Sequence, residues 1–211
     1  ELGLLLPGRF IPLAEESGLI LPVGSRVLHA VCAQLAAWRD AGLRLVPTAV
    51  NISALQFRRA DFVDSVADAL RRYGIPAGLL TLELTESMVM RDVELVARQL
   101  AELKALGVSI AIDDFGTGYS SLAYLKRFPL DKLKIDQSFV REINAGPADR
   151  AIVASIVGLG HNLGLELVAE GVETEAMAST LCQLGCDALQ GWCYGKAEPA
   201  DVFATRLAAA A

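Results

Sequence analysis

The sequence predicts a single parallel α/β domain of the (β/α)8-barrel kind, and three observations predict it. Apolar strand-like runs alternate with helical patterns along the whole chain. Gly42, Gly74, Gly107, Gly164 and Gly185 each fall just after a helical run, where a left-handed cap is wanted. Every strand-like run delivers polar groups at its C-terminal end, which is where such a barrel builds its active site, around one rim. An open doubly wound sheet would concentrate its ligands at one switch point instead.

Taken in order, a helical pattern at 21–41 leads into a strand at 46–52 that carries Asn51. A helix at 60–74 precedes the strand at 79–85, with Glu83 inside it and Glu86 just beyond. A helix at 92–106 precedes the strand at 108–113, which ends in Asp113 and Asp114 and runs into the glycine loop "FGTGYSSL". A helix at 119–127 precedes the strand at 132–136, which carries Lys134 and Asp136. The helix at 147–163 precedes the strand at 166–170, which ends in Glu170 with Glu173 following. The helix at 174–184 precedes the strand at 187–190, which ends in Gln190, and a last helix covers 199–209.

Side-chain parity supports this order. Leu82 and Leu84 share one face and leave Glu83 on the other; Val50 and Ile52 flank Asn51, and Leu133 and Ile135 flank Lys134. Ile110 and Ile112 leave Asp113 opposite them. The aliphatics are expected to face surrounding helices and the polar residues the barrel mouth. Six strands are two short of a closed barrel, so the missing strands are expected to precede residue 46.

Composition narrows the possibilities. The chain has 211 residues, of which 53% are hydrophobic and 6% aromatic, a globular and aliphatic-rich make-up. A net charge of -6 speaks against a broad basic surface for nucleic-acid polymers. No uninterrupted apolar run reaches the ~18 residues of a membrane span, and the N-terminus has no signal-peptide layout. The four cysteines, Cys32, Cys182, Cys186 and Cys193, form no C-x-x-C pair and are expected to be buried free thiols.

Asn51, Glu83, Asp113, Asp114 and Glu170 would form a strongly negative oxygen cluster, unstable without counter-charge. All-oxygen donors point to Mg²⁺ or Mn²⁺. Adjacent aspartates can serve two ions ~3.5–4 Å apart, a device for displacement at phosphorus. Lys134 is placed to hold an attacking water or neutralise a phosphoryl oxygen. Each piece alone has a plainer reading. An Asp-Asp pair caps a helix or makes a turn. A glycine loop can simply be flexible, Lys134 can be solvated, and Gln190 can be a polar core residue. Glu170 and Glu173 can complement a helix N-terminus. Coincidence at the same end of six strands favours the functional reading.

"FIPLAEESGLI", "NISALQF", "LELTES", "IDDFGTGYSSLAYLKRFPLDKLKIDQSFV", "VAEGVET" and "LQGW" together resemble the EAL family of cyclic di-GMP phosphodiesterases, in order and spacing over essentially the whole chain. The resemblance implies a modified (β/α)8, TIM-like barrel with an antiparallel first strand. It implies hydrolysis of cyclic di-GMP to linear pGpG with Mg²⁺ or Mn²⁺, two ions in all. Motif by motif, Asn51, Glu83 and Asp113 resemble first-metal ligands; Asp113, Asp114 and Glu170 resemble the second set. Lys134 resembles the catalytic lysine, Glu170 the water-activating partner and Gln190 the glutamine near that water. Glu86 and Glu173 resemble supporting carboxylates, Glu86 bracing the loop after Asp114, and Gln56 falls at a position used near substrate.

Two departures accompany the resemblance. The Glu-Ala-Leu motif that names the family is absent, and "ELGLLLPGRF" resembles the segment just downstream of it. The expectation is a domain spanning 1–211 that lacks its N-terminal edge, the motif and two strands lying before Glu1. The second departure is "GKAEP" near residue 197, where the family often has an earlier proline. The family also implies a homodimer pairing near residues 119–143 and fusion to upstream sensor or diguanylate-cyclase modules. It implies a cytoplasmic setting, on its own or within a membrane-anchored larger protein, with no membrane contact by the domain itself. The alternatives are a non-hydrolysing cyclic di-GMP receptor and an unrelated Mg²⁺-dependent barrel enzyme acting on small acids.

Overall fold

The computed structural model describes residues 3, 5–90, 92–117 and 125–209. Among them are six strands, β1 (Thr48–Asn51), β2 (Leu80–Thr85), β3 (Ser109–Phe115), β4 (Lys132–Ile135), β5 (Glu166–Ala169) and β6 (Ala188–Leu189). Their order in the sheet is their order in the chain, and the β3–β4, β4–β5 and β5–β6 ladders are parallel. That is the β/α alternation anticipated from the sequence. β6 has only two residues, but the bonds Asp187 N to Leu167 O and Gln190 N to Ala169 O continue its ladder at both ends. The helix expected at 119–127 lies largely outside the described residues. The chain divides into two compact units, one of residues 1–82 with 200–211 and one of 83–199.

In the first unit α1 (Pro7–Glu16), α2 (Ile20–Asp40), α3 (Ala54–Phe57), α4 (Phe62–Tyr73) and α10 (Ala200–Ala209) accompany β1. Sequence patterning missed α1, because two prolines disguise it. Pro7 stands in its first turn, where no backbone donor is needed, and Pro12 forgoes one intrahelical bond. α2 is the spine of the unit, with Leu28, Cys32 and Leu35 buried. Its 21 residues are long and apolar enough to cross a membrane by length and composition. Scattered charges such as Arg26 break the run without ending the helix, and α2 here packs on α1, α3, α4 and β1. Arg39 near its end donates to the carbonyls of Tyr73 (3.0 Å) and Gly74 (2.7 Å), satisfying the last turn of α4. Trp38 and Phe203 stack at 5.7 Å between ring centroids.

In the second unit α5 (Glu86–Val89), α6 (Val93–Leu106), α7 (Gln137–Arg141), α8 (Pro147–Asn162) and α9 (Glu175–Gln183) accompany β3 to β6. Ile110, Ile112, Leu133, Ile135 and Leu167 are fully buried, each contributing about 1.5–3 kcal/mol by burial. All five glycines predicted as caps have positive φ. The cysteines are free, but only Cys32 and Cys186 are buried; Cys193 is half-buried and Cys182 exposed. The expectation fails at Cys182 because α9 buries Met177 and Leu181, and Cys182 falls off that face.

The N-terminal ends of the strands are tied by one device used twice. Asp131, just before β4, accepts from Ile110 N at 2.8 Å while its own N–H donates to Ile110 O at 2.9 Å. Lys104 of α6 holds the same carboxylate at 2.7 Å. Asp187, just before β6, accepts from Leu167 N at 2.8 Å, donates to Leu167 O at 3.0 Å and meets His161 of α8 at 2.9 Å. The Leu167 N–H and His161 hold the Asp187 carboxyl below its ordinary range. A carboxylate with a lowered folded-state value stabilises above its unfolded value and loses that contribution as pH falls through the folded one. Asp187→Asn is therefore expected to lower the melting temperature at pH 7, by at most ~1 kcal/mol of stability because the pair is half exposed. The gap to wild type should close below about pH 4, as followed by thermal unfolding across pH.

Candidate active site

The strand ends of the second unit deliver their polar groups to one place. Lys134 is the centre, its side chain only 5% exposed. Its Nζ lies 2.9 Å from Glu83 Oε1, 3.1 Å from Asp113 Oδ1 and 2.5 Å from Glu170 Oε1. Each of the three carboxylates comes from or just after a different strand. Alternation puts Glu83 and Lys134 opposite their buried Leu and Ile neighbours, so both reach the polar side.

Asp114 reaches the cluster by a break in that alternation. Ile112 pairs with Leu133 and Phe115 with Ile135, so Asp113 and Asp114 together stand opposite the single residue Lys134. This is a β-bulge, and Asp114 adopts φ 55°, a left-handed conformation that aspartate tolerates better than most residues. Its N–H donates to Asp113 Oδ1 at 3.0 Å. A regular strand would turn the two side chains to opposite faces. With the bulge, oxygen atoms of Asp113, Asp114 and Glu170 lie within 4.8 Å of one another.

The surroundings brace this arrangement. Glu86 is buried at the start of α5 and accepts from Gly116 N at 2.9 Å, holding the backbone just past the bulge. Gly116 has φ 97°, and a Cβ there would meet the Phe139 ring at 2.8 Å. Gly191 cannot carry a side chain either, because a Cβ would come within 2.2 Å of Val172 O. That close approach lets Val172 N donate to Gln190 O and Cys193 N donate to Val172 O, both at 3.0 Å, coupling the loops after β5 and β6. Glu170, Glu173 and Gln190 line a cleft of about 330 Å³ with Arg141 and Trp192. Glu173 and Gln190 are exposed there, which removes the polar-core reading of Gln190.

Electrostatics follow the crowding. Burial alone would push the Lys134 ammonium down. The charge of Glu83, hydrogen bonds to Glu170 and Glu83, and the charge of Asp113 reverse this and hold it above its ordinary value, so it stays protonated. Burial raises Glu170, and Asp113 and Glu83 raise it further, while Lys134 opposes them. Asp114 is raised by burial first, then by the charges of Asp113 and Asp136. Asp136 is the residue that sequence reasoning left out of the site. It caps α7, accepting from Ser138 N at 2.9 Å, and it helps to raise the proton affinity of Asp114. Its position two residues after Lys134, on the same strand face, was the available signal.

Two of the anticipated residues belong to the first unit. Asn51 ends β1 and is exposed. Gln56 is buried in α3, where its Oε1 accepts from Ser53 N at 3.2 Å in a capping box and its side chain packs on Gly24 of α2. Gln56 also lines a cavity of about 430 Å³ with Arg59, Asp61 and residues of α2.

A parallel α/β fold carries here a buried lysine ringed by carboxylates at strand C-terminal ends, where folds of this class place their sites. Comparison with known proteins specifies the family. Residues 1–197 match the EAL domain family. The chain is 50% identical over 206 residues to the bifunctional diguanylate cyclase/cyclic di-GMP phosphodiesterase MucR of Pseudomonas aeruginosa, covering 98% of this chain and 30% of that protein. It is 44% identical over 197 residues to the signaling protein YkoW of Bacillus subtilis, covering 93% of this chain and 24% of YkoW. The chain thus spans less than a third of these curated relatives. The solved PaMucR phosphodiesterase in complex with c-di-GMP superposes with a TM-score of 0.92 at 50% identity, covering 96% of this chain and 82% of that one. The EAL domain of Mycobacterium smegmatis DcpA gives 0.83 at 44% identity, covering 87% and 82%. The chain belongs to the EAL domain family, and its fold is the TIM-barrel-like α/β fold of these structures.

Glu86→Ala would leave the Gly116 N–H without its partner at the edge of the bulge. The expected cost is ~1–3 kcal/mol of stability, with faster hydrogen exchange at the Gly116 amide. Amide exchange followed by NMR checks it, and an unchanged Gly116 rate would show that Glu86 does not brace the loop.

Proposed function

We propose that this chain hydrolyses cyclic di-GMP to linear pGpG with the help of Mg²⁺ or Mn²⁺. The observation that supports the reading best is the convergence of Asp113, Asp114 and Glu170 beside a buried, protonated Lys134. The donors are all oxygen, with no thiolate or imidazole among them, which fits hard divalent cations. Three clustered carboxylates with a single ammonium also leave an excess of negative charge that such cations would neutralise. Asp113, Asp114, Glu170 and Glu83 would hold the ions, and the motif correspondence adds Asn51. When bound, the ions supply Lewis-acid stabilisation of negative charge at phosphorus.

The chain's own groups carry the rest. Glu170, 2.5 Å from Lys134 Nζ and at the wall of the cleft, would take the proton of the attacking water. Lys134 keeps its proton and would offset charge developing on the phosphoryl oxygens as the P–O3′ bond opens. The cleft containing Gln190 and Glu173 adjoins Glu170 and is open to a nucleotide. Gln190 would orient the water, and Glu86, Glu173 and Gln56 would support the site. A cytoplasmic setting, with fusion to sensor or diguanylate-cyclase modules, belongs to the same reading.

Incubation with cyclic di-GMP and Mn²⁺ should yield pGpG by chromatography, and a chelator should abolish it. Asp113→Asn should lower turnover at least ~10²-fold with the fold retained by circular dichroism. Tight nucleotide binding without product would instead identify a receptor.

A homodimer pairing near residues 119–143 is also proposed. It would tie partner contacts to the backbone that presents Asp114. Sedimentation should show a dimer at tens of micromolar; a fully active monomer would remove the proposal.

A further inference from the structure

Lys134 occupies a place that a cation also needs. Its ammonium contacts Glu83, Asp113 and Glu170 at once, and two of these, Asp113 and Glu170, are members of the three-carboxylate cluster that suits a divalent ion. Lys134 is almost fully buried, so few waters compete for its three donors. The carboxylate oxygens it engages have a limited number of lone pairs, and those turned toward Nζ are turned away from another cation. Two positive charges a few Å apart in a buried site also repel strongly. The same contacts are what keep the acids together beforehand: three buried or half-buried carboxylates from three strands would otherwise push one another apart.

We propose that Lys134 is a built-in counter-ion, which assembles the carboxylates in the metal-free protein and competes with the divalent cation for them. This inference rests on the metal-dependent reading above and adds a direction to it. Loading the site loosens at least one of the three ion pairs, so metal affinity is held below what the acids alone would give. The ammonium freed in this way is then turned toward substrate. Lys134 thus acts as a positioning residue for the ligands as well as a charge at the reaction centre.

The competition is read by isothermal titration of metal-free protein with Mn²⁺, without nucleotide. Lys134→Met keeps the length and removes the charge. It should melt lower than wild type when metal-free, bind Mn²⁺ about ten-fold or more tightly, and gain more in melting temperature from saturating Mn²⁺. Lys134→Arg keeps the charge and should not tighten binding. Unchanged or weaker Mn²⁺ affinity in Lys134→Met, or equal tightening in both variants, overturns the counter-ion role. That result would leave the phosphodiesterase reading standing if wild type still forms pGpG. Should either variant fail to fold, crystal structures of wild type with and without Mn²⁺ decide: at least one carboxylate should move beyond ion-pair distance of Nζ, and three intact contacts beside a bound ion overturn the proposal. Wild type that binds no Mn²⁺ at millimolar concentration overturns this inference and the metal-dependent reading together.

Discussion

One buried ammonium among three carboxylates is the interaction on which the second unit depends. Carboxylates from β2, β3 and the end of β5 would repel one another if left alone, and removing them from water would add several kcal/mol each. Lys134 gives all three a common partner at 2.5–3.1 Å. It does not balance them. Counting Asp114 with Glu83, Asp113 and Glu170, four negative groups surround one positive group, an excess of three. Burial first, and then the charges of neighbouring acids, raises the proton affinities of Glu170 and Asp114.

The bulge at Asp113 and Asp114 is the second constraint, and it concentrates strain where chemistry is expected. Asp114 holds a left-handed conformation, φ 55°, that costs less for aspartate than for most residues. Here the fixing groups are identifiable. Asp113 accepts from the Asp114 amide, Glu86 accepts from Gly116 two residues later, and Phe139 closes over Gly116. The adjoining loops are joined through Val172 and the bare backbone of Gly191. Rigid support of this kind holds charged groups close without letting them relax apart.

The two ends of the parallel ladder have separate duties. At the N-terminal ends, Asp131 and Asp187 each accept from a backbone amide of the neighbouring strand and are steadied by Lys104 and His161. These acids are spent on register and are satisfied. At the C-terminal ends the acids face one another and one lysine. Register ties are thereby placed at one end of the strands and the acidic cluster at the other, the end at which β/α barrels generally build their sites.

Much of this was determined by sequence alone, for reasons that are local. Strand parity placed Glu83 and Lys134 opposite their buried neighbours, helix-ending glycines marked turns because only they adopt positive φ readily, and motif spacing over the whole chain identified the family. What lay beyond sequence depends on contacts between distant segments. The sequence placed Asp113 and Asp114 in one cluster, but how adjacent strand residues can share a side is seen only in the register against β4, where both stand opposite Lys134. Asp136 reads from the sequence as a polar group at a strand end, and only the structure shows it capping α7 and raising Asp114. For Gln56, the resemblance gives only a position used near substrate; its capping box with Ser53 and its packing on Gly24 are tertiary facts. Exposure of Cys182 follows from which face α9 buries. Composition and spacing fix which groups each strand carries, but the distances that turn four acids and a lysine into one site are set by strand register and loop packing, which no local pattern encodes.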